Sequence, residues 1–317
     1  MKKRNAVFGV LGFSCIDCNY EADEFGNPNT FLDCFCWSPR SLEYAFRNYW
    51  HEFKGKQVFV FQERQGKQIK PQTVLERYEQ FFGSVHIKSS FEMNTEALRN
   101  GFRFVDTANF GFNFDNNKIR AKATGAVQLT YSTNKYQHST LKVGDGFSIE
   151  NRSNVSKSQM NSCRKPYIDE GHFFTSFTVN PRVYEWIEEM FTDFEGYSNE
   201  NYLDFKEAAL HSMTNQHSQN HVGTENEFAL FAEVQENNLL MLVNLNELVT
   251  YQKELGNTVG VINLTRLFDY FRRFEDSIDH IEVYFNPETT KLQMGEMLQI
   301  PITFYSIKDE IMIPRVV

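Results

Sequence analysis

Residues 133–171 differ in kind from the rest of the chain and limit what it can fold into. This stretch is rich in Ser, Asn, Lys and Gly and has no hydrophobic period, whereas strand and helix patterns lie on both sides of it. A connection of this length without apolar periodicity is uncommon in a compact domain and is usually functional or disordered. We therefore predict one domain over residues 1–317, with residues 133–171 as an insertion within it.

Short apolar segments alternate with helical patterns along the remaining sequence. The segment "AVFGVLGF" at residues 6–13 fits a buried first strand, and "QVFVF" at 57–61 and "HFFTSFTV" at 172–179 fit further strands. No apolar run approaches the roughly 20 residues that a membrane helix needs. Strands alternating with helices predict an α+β fold in which helices cover one face of a sheet.

The pair Ser38-Pro39 is typical of a helix start, with serine as the N-cap and proline at the first helical position. We expect a helix over residues 40–53. Arg40 and Arg47 fall off its apolar face, where they are able to meet solvent or a ligand. The apolar face itself consists of Leu42, Ala45, Phe46 and Tyr49.

Charge is segregated along the chain, although the formal net charge is -9. Residues 116–168 contain nine Lys or Arg and two Asp or Glu, a formal charge of +7. Residues 169–317 contain nine Lys or Arg and twenty-five Asp or Glu, a formal charge of -16. This pattern indicates a basic surface for a polyanion beside an acidic body, and an ordinary solvated basic loop is the alternative.

Five cysteines give two interpretations. An odd count in a chain of this length argues against a disulfide framework and for a reducing cytoplasm. Four of the thiols lie in the first 36 residues, which is the number that a tetrahedral zinc site needs, although the second pair has C-x-C spacing. The possible zinc ligands are Cys15, Cys18, Cys34 and Cys36; separate buried or loop thiols are the alternative.

Aromatic residues are interleaved with bases and amides around the insertion. Asn134 and Lys135 stand near its start, and Arg164, Lys165 and Tyr167 near its end. Cations and amides engage phosphates and 2'-hydroxyls, while aromatic planes accept unstacked bases, so this mixture is typical of single-stranded RNA binding. Aromatic packing beneath an exposed loop is the alternative. The sequence has no P-loop, dinucleotide glycine fingerprint, G-x-S-x-G or H-E-x-x-H motif.

The order of these features resembles the CRISPR-associated Cas7 family, the crRNA-binding backbone subunits of type I Cascade, nearest in pattern to subtypes I-B and I-C. The resemblance rests on a short first strand, Asn27-Pro28-Asn29 in a loop, a basic helix, and Thr124-Gly125-Ala126-Val127-Gln128. A basic insertion ending near "CRKPYIDEGHFFTSFTVN" completes it.

The resemblance implies an RRM-like (ferredoxin-like) palm with helical elaborations and a thumb-like hairpin at residues 133–171. It implies copies that assemble along crRNA with other Cascade subunits and present the guide for pairing with target DNA, with no catalytic residue. Asn27, Asn29, Arg40 and Arg47 would grip the guide backbone. Gln128 would lie on the palm beside it, and Arg164, Lys165 and Tyr167 would belong to the thumb.

Two other functions stay open from sequence. The first is an RRM-like endoribonuclease that processes CRISPR RNA, which needs a positioned His, Tyr or Lys base. The second is a zinc-stabilised protein-interaction module, whose binding would not depend steeply on salt as RNA binding does. A target-RNA nuclease would need a loop aspartate, for which Asp33 is the nearby candidate.

Overall fold

The computed structural model describes residues 1–31, 33–60, 73–83, 90–115, 119–150, 159–216, 218 and 220–314. The strands are β1 (Val7–Cys18), β2 (Thr30–Phe31), β3 (Cys34–Trp37), β4 (Gly111–Asp115), β5 (Arg120–Thr124), β6 (Val127–Leu129), β7 (Ser132–Asn134), β8 (Leu141–Glu150), β9 (Gln159–Val179), β10 (Thr224–Val234), β11 (Thr250–Gln252), β12 (Gly260–Asn263), β13 (Ile278–Phe285), β14 (Thr290–Gln293) and β15 (Ile302–Ser306). The α-helices are α1 (Pro39–Glu52), α2 (Val74–Phe82), α3 (Ser90–Gly101), α4 (Val105–Phe110), α5 (Glu185–Met190), α6 (Asn199–His211) and α7 (Thr265–Phe271). Short 3-10 helices span Pro181–Tyr184, Leu245–Leu248 and Arg272–Ser277.

Ten of the described strands form one mixed sheet in the order β15-β13-β10-β1-β9-β7-β3-β2, with β6 and β8 also paired to β9. Only β13 and β15 pair in parallel within this sheet, as far as the described residues go. A separate three-stranded sheet has the order β11-β12-β14, and β4 pairs with β5 as a two-stranded ribbon. The chain therefore has an α+β fold.

Strand β1 lies in the middle of the large sheet, between β9 and β10. The apolar run predicted over residues 6–13 is confirmed as a strand, and it continues to Cys18. Gly9 is required by the close approach of β10, because a Cβ at this position would lie 1.7 Å from the backbone oxygen of Leu230. The middle of the sheet thus depends on one long strand that is buried almost throughout.

The two faces of β1 enter two different cores. Val7, Leu11 and Phe13 pack with residues of α1 and α6, whereas Phe8 and Val10 pack with residues of α7 and the small sheet. Helices were expected on one face of the sheet alone, but the structure covers both. A strand buried on both faces carries an almost continuous apolar sequence, as β1 does.

Strand β9 is 21 residues long and belongs to two parts of the fold. Its first half pairs with β8 from Gln159 opposite Glu150 to Ile168 opposite Leu141, which forms a β-hairpin. From Ile168 to Val179 it pairs with β1 in the centre of the sheet. The insertion is therefore continuous with a core strand. Of the helices in the described part of the chain, none is both long and apolar enough to cross a bilayer.

Helix α1 confirms the predicted start, because the Ser38 side chain caps it and accepts a hydrogen bond from the N–H of Ser41. The expectation that Arg47 faces solvent is wrong: its side chain is buried and its Nε lies 3.3 Å from Asp106 Oδ2. Its Nη2 also lies 3.0 Å from Glu43 Oε2. A helical period separates apolar from polar positions, but it does not show that a polar residue has a buried partner.

Asp106 also explains why residues 57–60 are not the predicted strand. Its carboxylate accepts hydrogen bonds from the N–H groups of Phe59, at 2.8 Å, and Val60, at 2.9 Å. These two backbone groups are therefore paired with a side chain instead of a neighbouring strand. The last residue of the predicted strand, 61, lies outside the described residues.

We predict that Arg47→Ala lowers the free energy of unfolding by about 3–5 kcal/mol, because it leaves the buried Asp106 carboxylate without its cation. Arg40→Ala is the matched control on the same helix. Arg40 is exposed, so its loss should change stability by less than about 0.5 kcal/mol. Urea unfolding of both variants measures the difference, and equal stabilities would contradict a structural role for Arg47.

Candidate nucleic-acid interface

The loop that follows β1 is held in one conformation by Asp23. One oxygen of its carboxylate accepts hydrogen bonds from the N–H groups of Phe25 and Asn27, both at 2.8 Å. These backbone donors stabilise the ionised form and lower the pKa of Asp23. The hydroxyl of Tyr20 donates to the carbonyl of Asn29 at 2.7 Å. The Asn27 and Asn29 side chains, both half-buried, are thus carried on an ordered loop.

This loop is joined to both α1 and the hairpin. The Glu21 carboxylate accepts from the Ser38 N–H at 2.6 Å and from its hydroxyl at 2.5 Å, at the start of α1. On the other side, Asn19 Nδ2 donates to the carbonyl of Pro166 at 3.1 Å, in the hairpin. The loop therefore contacts both the start of α1, next to the exposed Arg40, and the base of the hairpin.

The hairpin base has a basic and aromatic face. Lys142 lies opposite Tyr167, and Gly144 lies opposite Lys165. Because side chains alternate along a strand, these four positions share one face. A Cβ at Gly144 would lie 3.1 Å from the Tyr167 ring, so the ring lies over the glycine. The exposed Lys142 and Lys165 stand on either side of this half-buried ring.

The opposite face of the hairpin base is apolar. It carries Leu141, Val143 and Pro166, which alternate with the basic positions. Leu141 is 49% exposed and Val143 is 59% exposed, so this apolar face is not covered within the described residues. The two faces give the hairpin base one side suited to RNA and one suited to an apolar contact.

Lys142 is a candidate that sequence reasoning missed as a site residue. It was counted in the basic stretch, but it shares a face with Tyr167 only in the register of β8 with β9. The sequence does contain a signal: Lys142 and Gly144 are two residues apart, and so are Lys165 and Tyr167. In a strand, residues at this spacing lie on the same face. Without a known register, this spacing does not show that the two pairs meet. Of Arg164, only the backbone is described, opposite Asp145.

Asn134 holds the hairpin base and has no capacity left for RNA, contrary to the expectation from sequence. Its Nδ2 donates to the Tyr136 carbonyl at 3.2 Å and to Ser139 Oγ at 2.7 Å. Its Oδ1 accepts from the N–H groups of Tyr136, at 3.2 Å, and His172, at 2.9 Å. These contacts use both hydrogens and both lone pairs of the amide.

The remaining predicted residues lie at different distances from the hairpin. Lys135 is next to its base, and its Nζ lies 3.3 Å from a Glu247 carboxylate oxygen. Gln128 is exposed on β6 opposite Thr178, ten residues along β9 from Ile168. At about 3.3 Å per residue, this places Gln128 about 33 Å from the hairpin base. The structure therefore does not bring Gln128 together with the residues of the hairpin base.

The four N-terminal cysteines do not form a zinc site. Cys15 and Cys18 are joined by a disulfide, which leaves Cys34 half-buried and Cys36 buried as free thiols. Asp17 has a left-handed φ of 49°, which interrupts the alternation of β1 and lets Cys15 and Cys18 meet on one side. Among the residues that the structure describes, no group of three or more His, Cys, Asp or Glu side chains is arranged to hold a metal ion.

A buried ionic cluster centred on His172 lies beneath the hairpin base. Its Nδ1 lies 2.7 Å from a Glu227 oxygen, and its Nε2 lies 3.0 Å from a Glu170 oxygen, which also pairs with Lys253. Burial alone would lower the pKa of His172, but the Glu227 and Glu170 carboxylates outweigh it and raise the pKa to about 9. Hydrogen bonds from His172 and Lys253 outweigh burial of Glu170 and lower its pKa to about 2. At neutral pH His172 and Glu170 are therefore both charged.

These observations define an α+β sheet protein with a basic and aromatic β-hairpin that extends from its central sheet. The chain belongs to the family of CRISPR-associated protein Cas7, whose model matches residues 5–275. This confirms the family that the sequence resembles.

Chains of two solved structures are similar to this chain, and the one with a TM-score of 0.53 shows a related fold. One chain, of a "CRISPR RNA-guided surveillance complex, pre-nicking", is 13% identical with a TM-score of 0.53, over 92% of this chain and 96% of that chain. A second, of a "CRISPR RNA-guided surveillance complex", is 17% identical with a TM-score of 0.49, over 92% of this chain and 95% of that chain. No curated protein matches the chain in sequence.

We predict that the His172 cluster makes stability depend on pH. A histidine whose pKa is raised from 6.5 to about 9 stabilises the fold fully below pH 6.5, and this stabilisation is lost as pH rises through about 9. A glutamate whose pKa is lowered from 4.5 to about 2 stabilises it above pH 4.5, and this is lost as pH falls through about 2. Between pH 4.5 and 6.5, His172 and Glu170 therefore both contribute their full stabilisation of the fold.

Urea unfolding of the wild type and of His172→Gln at a series of pH values measures this dependence. The free energy of unfolding of the wild type should fall between pH 6.5 and about 9. In His172→Gln this fall should be absent. The comparison rests on the slope with pH, so it holds even though the variant is less stable at every pH. An unchanged slope in the variant would show that His172 is not the titrating group.

Proposed function

We propose that this Cas7 family protein is a non-catalytic backbone subunit of a type I Cascade complex that binds crRNA. The observation that carries the proposal is the face of the hairpin base on which Lys142 and Lys165 flank the ring of Tyr167. Two cations beside a half-buried aromatic ring suit the phosphates and unstacked bases of single-stranded RNA. Residues 116–168, with a formal charge of +7, supply the wider attraction for a polyanion.

The first loop supplies the other wall of the proposed RNA groove. Its contact with Pro166 and its link through Glu21 to α1 bring Asn27, Asn29 and Arg40 towards the hairpin base. Amide side chains serve the 2'-hydroxyl and phosphate oxygens of an RNA backbone, and Arg40 serves a phosphate. Because the Glu21 carboxylate already occupies the start of α1, we assign the RNA contact to side chains and not to that helix terminus.

The arrangement of the central strands supports an RRM-like palm. β1 lies between β9 and β10, and β7 lies beyond β9. Helix α1 follows β1 and helix α6 joins β9 to β10, and residues from both enter the core on one face. Taken in chain order, β1, α1, β7, β9, α6 and β10 match the β-α-β-β-α-β order of ferredoxin-like proteins. We assign β8 and the first half of β9 to the thumb-like hairpin.

The state of His172 favours a binding role over the rival ribonuclease. A general base must be unprotonated near neutral pH, whereas two carboxylates keep this imidazole charged until a pH of about 9. It is also 5% exposed, beneath the rings of Tyr136 and Tyr251. The cysteine geometry gives no support to the zinc-stabilised interaction module, because the disulfide removes two of its four ligands.

We further propose that copies of the protein assemble along one guide with other Cascade subunits, in the cytoplasm, and present the guide for pairing with target DNA. Sequence recognition is then left to base pairing, so the protein needs phosphate contacts and shape instead of base-edge contacts. The basic hairpin region and the acidic residues 169–317 have complementary charges, which would orient successive copies.

We predict that Lys142→Ala/Lys165→Ala weakens binding of single-stranded RNA and lowers its salt dependence. Each phosphate contact contributes about -0.7 to the slope of log affinity against log salt, so the double variant should lose about 1.4. Fluorescence anisotropy with a labelled RNA between low and high salt measures both quantities. Lys54→Ala/Lys308→Ala is the control, because it removes the same charge from surface positions outside the hairpin. An equal loss in this control would show that only the net charge matters.

Incubation with a CRISPR repeat RNA separates the backbone role from the ribonuclease. We expect protection of the RNA without cleavage, and short RNAs with one repeat-derived end should accompany the protein when it is purified from its host. Cleavage of the RNA by the wild-type protein would establish the ribonuclease instead. Protein that forms a defined complex without any RNA would contradict the proposal and favour an interaction module.

A further inference from the structure

A polar cleft lies beside the hairpin base, on the side of the small sheet. One wall is the turn at residues 135–140 that leads into β8, and the other is β11 with residues 253–259. Val261 of β12 and Lys291 of β14 complete it. Its volume is about 540 Å³. This is within the range of about 300–1,000 Å³ for pockets that hold small ligands.

The walls of the cleft are held in place by the buried cluster beneath them. The Tyr251 ring stacks on His172, with 3.9 Å between the ring centroids, and the Tyr136 ring meets the same imidazole edge-on. Lys253 is tied to Glu170, which is in turn bonded to His172. The hairpin base and β11 are therefore joined through one network, so the cleft exists before any ligand binds.

Gly260 fixes the position of the Tyr251 ring. A Cβ at residue 260 would lie 2.1 Å from the Tyr251 hydroxyl oxygen, so the ring lies directly against the glycine backbone. Backbone of β12, stacking on His172 and the ionic cluster thus support one wall from three directions.

The lining of the cleft carries cations and amides. Lys253, Lys291 and His138 contribute nitrogen donors, and Glu254 is the one acidic residue among the lining residues. The amides are Gln137, Gln252 and Asn257. This composition is unexpected in the acidic part of the chain: residues 169–317 contain four lysines, and two of them line this cleft.

The polar surface continues over the outer face of the small sheet. Gln252, Val261 and Lys291 lie side by side across β11, β12 and β14 and are exposed or half-exposed. The turn at residues 135–140 connects the cleft directly with Leu141, where the hairpin begins. The cleft and the hairpin base are therefore adjacent along the chain.

We propose that this cleft binds one nucleotide of a single-stranded RNA, with Lys291 and Lys253 at its phosphate and the three amides at its base. Amide side chains hydrogen-bond the edges of unpaired bases, and lysines pair with phosphate. The proposal rests on RNA binding at the hairpin base, and it adds a second, separate contact on the same molecule. A free mononucleotide has the same chemistry, so the test includes both ligands.

Anisotropy and calorimetry with the full-length protein test the cleft. The probes are a labelled oligouridylate of about ten nucleotides, within the ~4–16 nucleotides typical of such sites, and uridine monophosphate. Lys291→Ala should weaken the oligouridylate about tenfold at low salt and lower the salt slope by about 0.7, because it removes one phosphate contact. Asn257→Ala should weaken it with little change in the slope, because an amide carries no charge.

Lys308→Ala is the matched control, since it removes a lysine from the same acidic part of the chain outside the cleft. One outcome is that Lys291→Ala leaves oligouridylate binding unchanged while Lys142→Ala/Lys165→Ala weakens it. This would overturn the proposal that the cleft binds RNA and leave the proposed function intact. A second outcome is that Lys291→Ala abolishes binding of uridine monophosphate but leaves oligouridylate binding unchanged. This would identify a site for a free nucleotide and overturn the RNA contact. A wild-type protein that binds no RNA would end the proposed function itself.

Discussion

The pairing of β1 with β9 on one side and β10 on the other is the contact on which the rest of the structure depends. β1 supplies side chains to both hydrophobic cores. Without this strand, the elements on each face of the sheet would lose part of the apolar surface against which they pack. The close approach of β10 at Gly9 shows how little space separates the strands. The same pairing holds the second half of β9, and through it the base of the hairpin. Burial of apolar side chains on both faces, at roughly 25 cal/mol per Å² of apolar surface, is the largest favourable contribution to this arrangement.

The elements with strong local signals could be predicted from the sequence. Ser38-Pro39 gave the start of α1 to within one residue, and the apolar runs gave β1 and the end of β9. The segment at residues 57–60 failed because Asp106, almost fifty residues away, takes the backbone donors that a strand would use. Burial of the second face of the sheet was missed for a related reason. No local pattern shows which distant segment will cover a given face.

The candidate site could be predicted by region but not by pairing. The sequence pointed to the hairpin base, yet Lys142 joins it only through a register that an aperiodic segment does not reveal. Arg47 and Asn134 have the residue types expected of RNA contacts, but their partners are Asp106 and the turn at the hairpin base. The disulfide was missed because the odd number of cysteines argued against disulfides, whereas a local left-handed φ at Asp17 lies between the two cysteines that pair. In each case a tertiary contact decided the role of a polar side chain.

The length of β9 has a mechanical consequence. A force that draws the hairpin away along its own axis would load the β1–β9 hydrogen bonds in shear, so that the whole run from Val179 to Ile168 resists together. The β8–β9 bonds, by contrast, would open one pair at a time if Glu150 and Gln159 were pulled apart. This end of the pairing is therefore able to yield while Ile168 stays fixed. A chain built in this way transmits tension on the hairpin into its most buried segment, and the sheet acts as the anchor of the hairpin.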